Sequence, residues 1–444
     1  MTQRILFITQ THNIWGGMEQ WLHNFTLWLQ ENTGFDVRVA LPRGRKFNDP
    51  DAFLLAHPHM RPIVLDVRVG SPTIRVRRIR EAIERFDAGL IVPIATGDVF
   101  EAVEQAKRRG SQVRLLQPIR ALVPELFANV LDFWPVIDGV VSISALFDSF
   151  FRKHLSGEAE RLHYVRHGAR LPFVEHDRRG ADDAASPLRV SFVGRIEPEM
   201  KRIFDLVPLV ERLERDSANV EVHLFGRGPA EDELRSRLSA AALPVVFHGY
   251  KTLDDLYREA YPHTDVILLL SGVGEGTPNA VVEAMQHGCV PVITRYPGQR
   301  GERFAIHERN GFTFRTGDTD AAAEYILKLA NDRRLLGEMS ARAKEDVAND
   351  TAARMHRDWV AIIEKTLAMP QKLPRNPLAR KPPAGRLDRV LSPAVADTVR
   401  QITHRYFPHP DGWSEWPGSV AADRERVVAI ATELDRLDRY TDGE

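Results

Sequence analysis

Two glutamates, Glu275 and Glu283, lie eight positions apart in SGVGEGTPNAVVEAMQHGCVPVIT (271–294), between two apolar runs. Glu275 falls in a turn with glycines at 272, 274 and 276; Glu283 falls four residues into a helix predicted to begin at Asn279 and to be capped by Gly288. A helix start carries unpaired N–H groups and roughly half a positive charge, so the mouth formed by Gly276, Thr277, Pro278 and Asn279 suits a phosphate. Pro278 is tolerated there because its missing N–H would be unpaired anyway. Helical side chains lean toward the N-terminus, which lets Glu283 reach back to that mouth and accept hydrogen bonds from a ribose diol. Glu275 could accept from sugar hydroxyls on the other side of a diphosphate. The plainer alternative is an ordinary strand-to-helix turn followed by an acidic helix. A nicotinamide site is poorly supported, because G-x-G occurs here without the rest of G-x-G-x-x-G, and no G-x-x-x-x-G-K-[ST] or G-x-S-x-G is present.

Two further stretches carry compatible chemistry. In FVGRIEPEMKRIFDL (192–206), Arg195 and Lys201 follow an apolar run and could neutralise a diphosphate through charge-assisted hydrogen bonds. In TQTHNIWGGMEQWLHNF (9–25), Gly16 and Gly17 open a second predicted helix and so a second anion-friendly mouth.

These residues need strands and helices to hold them, and the pattern supplies both. RILFIT (4–9), DVRVAL (36–41), PIVLDV (62–67), LIVPI (90–94), VRLLQPI (113–119) and GVVSIS (139–144) read as buried strands separated by helical spacing. A polar stretch, HDRRGADDAASP (176–187), interrupts the pattern, which restarts with LRVSFVG, VEVHLFG, VVFHG, DVILLL and VPVIT. The expected fold class is therefore α/β: two doubly wound Rossmann-like domains, 1–175 and 186–350, facing across a cleft. A closing helix over 351–369 is expected to complete the second domain. A proline-rich basic linker and a mostly helical extension occupy 370–444.

Composition narrows the classes further. The hydrophobic share of 43% and charged share of 27% are those of a globular protein, and a net charge of −1 argues against nucleic acid as a partner. The single cysteine, Cys289, rules out an internal disulfide and fits a reducing compartment. No apolar run reaches the length of a membrane span and the N-terminus lacks a secretory signal pattern, so the expected location is cytoplasmic.

GGMEQ, GRIEPEMK and EGTPNAVVEAM, in that order, resemble the motifs of glycosyltransferase family 4, whose E-x7-E spacing is its hallmark. The resemblance covers roughly residues 1–368, and VSISALFDSFF (141–151) and VRHGARLP (165–172) also look like family segments. It implies the two-Rossmann GT-B fold and retaining transfer from a nucleotide-diphosphate sugar, with no metal or other cofactor. It assigns Arg195 and Lys201 to the donor diphosphate, Glu283 to the ribose and Glu275 to the transferred sugar, with Arg195, Lys201 and Glu275 as the catalytic set. Gly16 and Gly17 would let the first domain approach the phosphate. Family habit suggests a carbohydrate or glycolipid acceptor in surface polysaccharide synthesis. One departure is Arg120, where many relatives carry a histidine; it could contact an acidic acceptor or the leaving phosphate, or accompany lost activity. His12 lies in the loop that could supply the missing imidazole. A catalytically silent nucleotide-sugar binder and a nucleotide-sugar epimerase are the competing readings.

Weaker signals remain. DTD (318–320) could be a metal-binding D-x-D, but its place before AAAEYILKLA favours a helix N-cap. RVRRIREAIERF (75–86) could rest peripherally on the inner membrane surface, although a solvated helix face is the commoner reading. FHGY (247–250) could line a base pocket. Tyr406, Phe407, Trp413 and Trp416 are expected to dock on the body as a satellite core.

Overall fold

The computed structural model describes residues 2–11, 17–44, 48–66, 70–173, 186–272, 274–378, 387–403, 407, 416–420 and 423–440. Its strands form two all-parallel sheets. The first contains β1 (Arg4–Ile8), β2 (Asp36–Arg43), β3 (Pro62–Asp66), β4 (Leu90–Pro93), β5 (Arg114–Ile119), β6 (Gly139–Ser142) and β7 (Leu162–Tyr164), in spatial order 3-2-1-4-5-6-7. The second contains β8 (Leu188–Val193), β9 (Val220–Phe225), β10 (Val246–Gly249), β11 (Val266–Leu269), β12 (Val290–Thr294) and β13 (Phe312–Phe314), in order 10-9-8-11-12-13. Each sheet is buried on both faces, which is why most strands read as continuous apolar runs.

The strand order reverses between β1 and β4 in one sheet and between β8 and β11 in the other. A crevice opens at such a reversal, beyond the carboxyl ends of the strands. Arg195 follows β8 and the 271–279 turn follows β11, so both leave the second sheet at its reversal. The Gly17–Asn32 helix follows β1 at the reversal of the first.

The helix Ala352–Ala368 departs from expectation. It follows the second lobe in sequence, yet its apolar face belongs to the first. Met355, Trp359, Ile362 and Ile363 join one core cluster with Trp21, Phe25, Leu116 and Val141. The Trp359 ring lies 5.2 Å from Trp21 and 5.6 Å from Phe25. The chain therefore crosses between lobes twice, and the crossings touch. The Ala169 N–H donates to the Asp350 carbonyl at 2.8 Å and the Ala352 N–H to the Ala169 carbonyl at 2.6 Å. A Cβ on Gly168 would lie 2.2 Å from the Thr351 carbonyl oxygen, so a side chain there would force the two passages apart.

The C-terminal extension wraps the first lobe. Buried Lys107 donates to Asp138 at 2.6 Å and to the Lys372 carbonyl at 2.8 Å, pinning the start of the extension. Trp416 is fully buried and enters the main first-lobe core rather than a satellite cluster. Phe407 is also buried, while Tyr406 and Trp413 lie outside the described residues. The helix Arg424–Tyr440 packs on Pro124–Phe133 and Ala145–His154. The helix Pro393–Ile402 covers the basic helix Pro72–Phe86, where Arg75, Arg78 and Arg80 are held by Asp98, Glu81 and Glu84. That leaves the basic helix with much of its charge already paired. Among the described residues, no helix is long and apolar enough to cross a membrane.

Replacing Trp359 by alanine should cost about 3–5 kcal/mol, the usual range for emptying a buried tryptophan site. Hydrogen exchange should show the loss around Trp21–Leu29. Loss confined to residues 188–347 would contradict the packing described here.

Candidate functional site

The loop after β8 is organised by a buried acid. Glu197, 3% exposed, accepts from the backbone N–H groups of Glu199, Met200 and Lys201 at 3.1, 2.9 and 2.8 Å. Three N–H groups on one carboxylate hold the segment in a tight turn. This turn delivers the Lys201 ammonium to Glu275, with which it forms a short ion pair. Glu275 is 8% exposed and Lys201 is partly exposed, so the pair lies at the inner wall of the crevice.

Glycines set the course of the 271–279 turn. Gly274 has φ +76°, and a Cβ on it would lie 2.7 Å from the Met200 Cε. A Cβ on Gly276 would lie 2.5 Å from the Arg120 carbonyl oxygen and 2.8 Å from the Ile143 Cδ1. Both of those neighbours belong to the first lobe. The Thr277 hydroxyl donates across the same boundary to the Ile143 carbonyl at 3.2 Å. The turn is therefore seated on the first lobe, and backbone touches backbone at Gly276.

The helix Asn279–Gln286 begins directly after this turn, with Pro278 extended as its N-cap, and Gly288 follows its end at φ +77°. Across the boundary, a Cβ on Gly17 would lie 3.5 Å from the Asn279 Nδ2. The starts of two helices, one from each lobe, thus meet beside Lys201 and Glu275, and each presents unpaired N–H groups. His12 and Gly16 lie outside the described residues.

Arg195 is exposed, and its charge acts on Glu19 of the first lobe. Glu19 is 3% exposed; burial pushes its carboxyl up to about 7, against the opposing effect of Arg195 and Arg120. The Arg120 guanidinium lies over the Trp21 ring, 4.0 Å from its centroid. Its Nη1 is shut off from solvent with no hydrogen-bond partner, and burial lowers the group to about 9, so it remains charged at neutral pH. His167, in the passage between lobes, is held down at about 3 by burial and then by the Arg120 charge.

Glu283 lies one turn into the Asn279–Gln286 helix. The Tyr261 hydroxyl donates to its carboxylate at 2.7 Å, and burial raises its carboxyl to about 7. That contact holds the Glu283 carboxylate in the ligand-free protein. FHGY spans the last three residues of β10 and Tyr250 beyond it; the His248 ring stacks 4.2 Å from Phe225, and Gly226 donates its N–H to the Gly249 carbonyl at 2.8 Å. Asp318 accepts from the Ala321 N–H at 3.1 Å as an N-cap. Among the described residues, no cluster of three or more His, Cys, Asp or Glu side chains is arranged to hold a metal ion.

Sequence reasoning left out Glu197, Tyr261, Glu19 and Trp21. Glu197 carried a usable signal, since an acid beside a proline and just ahead of several free N–H groups is a natural turn anchor. Tyr261 and Trp21 carried none, because each meets its partner only through tertiary packing.

Residues 187–332 match the family model described as glycosyl transferases group 1. No curated protein matches the chain by sequence. Among solved structures, the lipopolysaccharide outer core galactosyltransferase WaaB in its apo form superposes with a TM-score of 0.62 at 15% identity, covering 82% of this chain and 99% of that one. Anabaena HepE in complex with UDP and glucose gives 0.65 at 16%, covering 82% and 99%. The pneumococcal O-GlcNAc transferase GtfA in complex with UDP and GlcNAc gives 0.64 at 11%, covering 83% and 100%. At such identities the likeness is one of fold: the two parallel sheets of this chain have the GT-B arrangement.

The buried carboxyls make a pH prediction for the ligand-free protein. Glu283 titrates near 7 when folded against 4.5 as the reference, so the folded chain binds the extra proton between those values. That contribution to stability is present below about 4.5 and is lost as pH rises through 7. Glu283→Gln should flatten the fall in Tm between about pH 5 and pH 8. A slope equal to that of the wild type would remove Glu283 as a titrating group.

Proposed function

We propose that this protein is a retaining glycosyltransferase that moves a sugar from a nucleotide-diphosphate donor to an acceptor hydroxyl. The observation that carries the reading is the meeting of the Gly17 and Asn279 helix starts beside the Lys201–Glu275 pair. That arrangement concentrates N–H groups and cations where a diphosphate would lie, and it leaves one carboxylate in place for sugar hydroxyls. The group 1 match over 187–332 supports it, as do the UDP and sugars named with the neighbouring HepE and GtfA structures.

On this reading the donor diphosphate lies against the mouth formed by Gly276, Thr277, Pro278 and Asn279, with Gly16 and Gly17 facing it from the first lobe. Lys201, paired with Glu275 when no ligand is bound, turns its ammonium to the diphosphate as the donor enters. Glu275 is then released to accept from the hydroxyls of the transferred sugar. Arg195 supplies the second cation, and Glu283 serves the ribose. As the bond to the anomeric carbon breaks, negative charge grows on the departing phosphate. Arg195, Lys201 and the two helix starts stabilise that charge in place, without reorganising. The acceptor oxygen bonds to the anomeric carbon on the face the phosphate leaves, and the departing phosphate takes the acceptor proton, which together give retention; no metal is required. Seating of the 276–277 turn on the first lobe excludes water and aligns donor and acceptor. His12 and Arg120 lie on the acceptor side, where Arg120 can meet an acidic acceptor or the leaving phosphate. The acceptor is a carbohydrate or glycolipid, and the enzyme works in the cytoplasm or at its membrane surface.

A thermal-shift screen against UDP-, GDP-, ADP- and CMP-sugars should single out one donor. At a hundredfold excess over Kd, ligand linkage stabilises by about 2.7 kcal/mol. With that donor, Arg195→Ala and Lys201→Ala should each lower turnover by about 10²–10³ with folding intact. Wild-type rates in either variant would refute its role. Donor binding without turnover on a broad acceptor panel would favour a silent nucleotide-sugar binder.

A further inference from the structure

The loop between β12 and β13 borders an open pocket of about 350 Å³ whose polar lining is Arg295, Gln299, Arg303, His307 and Thr313, with both arginines exposed. It lies on the β12–β13 side of the second sheet, whereas the Lys201–Glu275 pair sits at the β8–β11 reversal. Two buried amides hold its wall. Gln299, 2% exposed, donates to the Ala305 carbonyl at 2.6 Å. Asn310, fully buried, accepts from the Ile306 N–H and donates to the Phe304 carbonyl, both at 2.7 Å. Arg303 has φ +54° and ends the short Gln299–Glu302 helix as its left-handed C-cap.

The lining is rich in donors. The Arg295 side chain donates to the Thr313 hydroxyl and carbonyl at 3.3 and 3.4 Å, and among the described residues neither Arg295 nor Arg303 pairs with a carboxylate. The nearby acids are engaged elsewhere. Glu302 accepts from the Ala145 N–H at 2.7 Å and the Tyr164 hydroxyl at 2.9 Å, Asp346 holds Arg309 and Asn310, and Glu308 lies 3.9 Å from Lys328. The His307 Nδ1 accepts from the Thr313 N–H at 3.1 Å, so in the neutral ring Nε2 carries the proton and is a donor. Burial first, then Arg295 and Lys328, keep that ring below the usual histidine range, while Glu308 opposes them.

We propose that this pocket binds a phosphate monoester, its dianionic oxygens held by Arg295, Arg303 and the His307 Nε2–H. Two guanidiniums and an imidazole donor match a dianion better than a single carboxylate. The pocket is larger than a bare phosphate needs, and Ala305 and Ile306 give its remaining wall an apolar surface for the attached group. The loop also carries Glu302, which reaches Ala145 and Tyr164 of the first lobe, so an occupant would stiffen a contact between lobes. The proposal is independent of the donor reading above.

The test is calorimetric titration of inorganic phosphate, methyl phosphate and acetate at constant ionic strength. The wild type and Arg195→Gln/Lys201→Gln should both bind the two phosphates saturably, with acetate much weaker. Arg295→Gln and Arg303→Gln should each weaken phosphate by about tenfold, and the double variant should abolish it. Arg303→Gly removes the charge and suits the left-handed C-cap, so it should fold at least as stably as the wild type and still lose about tenfold in affinity. Phosphate binding that survives in Arg303→Gly at wild-type strength overturns the site, as does binding that vanishes in Arg195→Gln/Lys201→Gln. Acetate binding equal to phosphate overturns the dianion assignment.

Discussion

The absence of a side chain at Gly276 is the constraint on which the cleft depends. At that position the second lobe meets the carbonyl of Arg120 and the Ile143 side chain at a distance that excludes even a methyl group. The contact brings the Asn279 helix start opposite Gly17, and it sets Lys201 and Glu275 at the edge of the same boundary. Bulk at this point would push the lobes apart and separate the helix starts, whatever the charges around them. Steric permission comes first here, and electrostatics acts within the space it leaves.

The charges inside that space are arranged unevenly. Lys201 is neutralised by Glu275, while Arg195 is exposed and Arg120 is set over an aromatic ring. The Glu19 carboxyl, on which both arginines act, is raised by its own burial. The crevice without ligand therefore favours an incoming anion, and it does so without a cluster of bare cations that would repel one another.

How much of this was legible in the sequence depended on how local each feature is. Buried parallel strands show as apolar runs, so the long strands were visible; β7 and β13, three residues each at sheet edges, gave too little signal to register. The closing helix was readable as a helix because its apolar spacing is strong. Its destination was not, since periodicity records that a face is covered and says nothing of what covers it. The same limit applies at the site. Lys201 and Glu275 stand in separate motifs, and nothing in either motif states that they touch across 74 residues of chain. The Glu283 contact with Tyr261 and the Trp21 platform under Arg120 are likewise products of packing.

The return of the Ala352–Ala368 helix to the first lobe makes the second lobe, in effect, an insertion within the first. A ribosome making this chain from its N-terminus releases β1 to β7 long before Trp359 and Trp416 exist to complete their core. The second lobe, whose strands and helices run from Leu188 to Val347, is contiguous and can close while the earlier segment still waits. Vectorial synthesis would then finish the lobes in the reverse of their order along the chain, with the first lobe exposed as an incomplete intermediate until the last helix emerges.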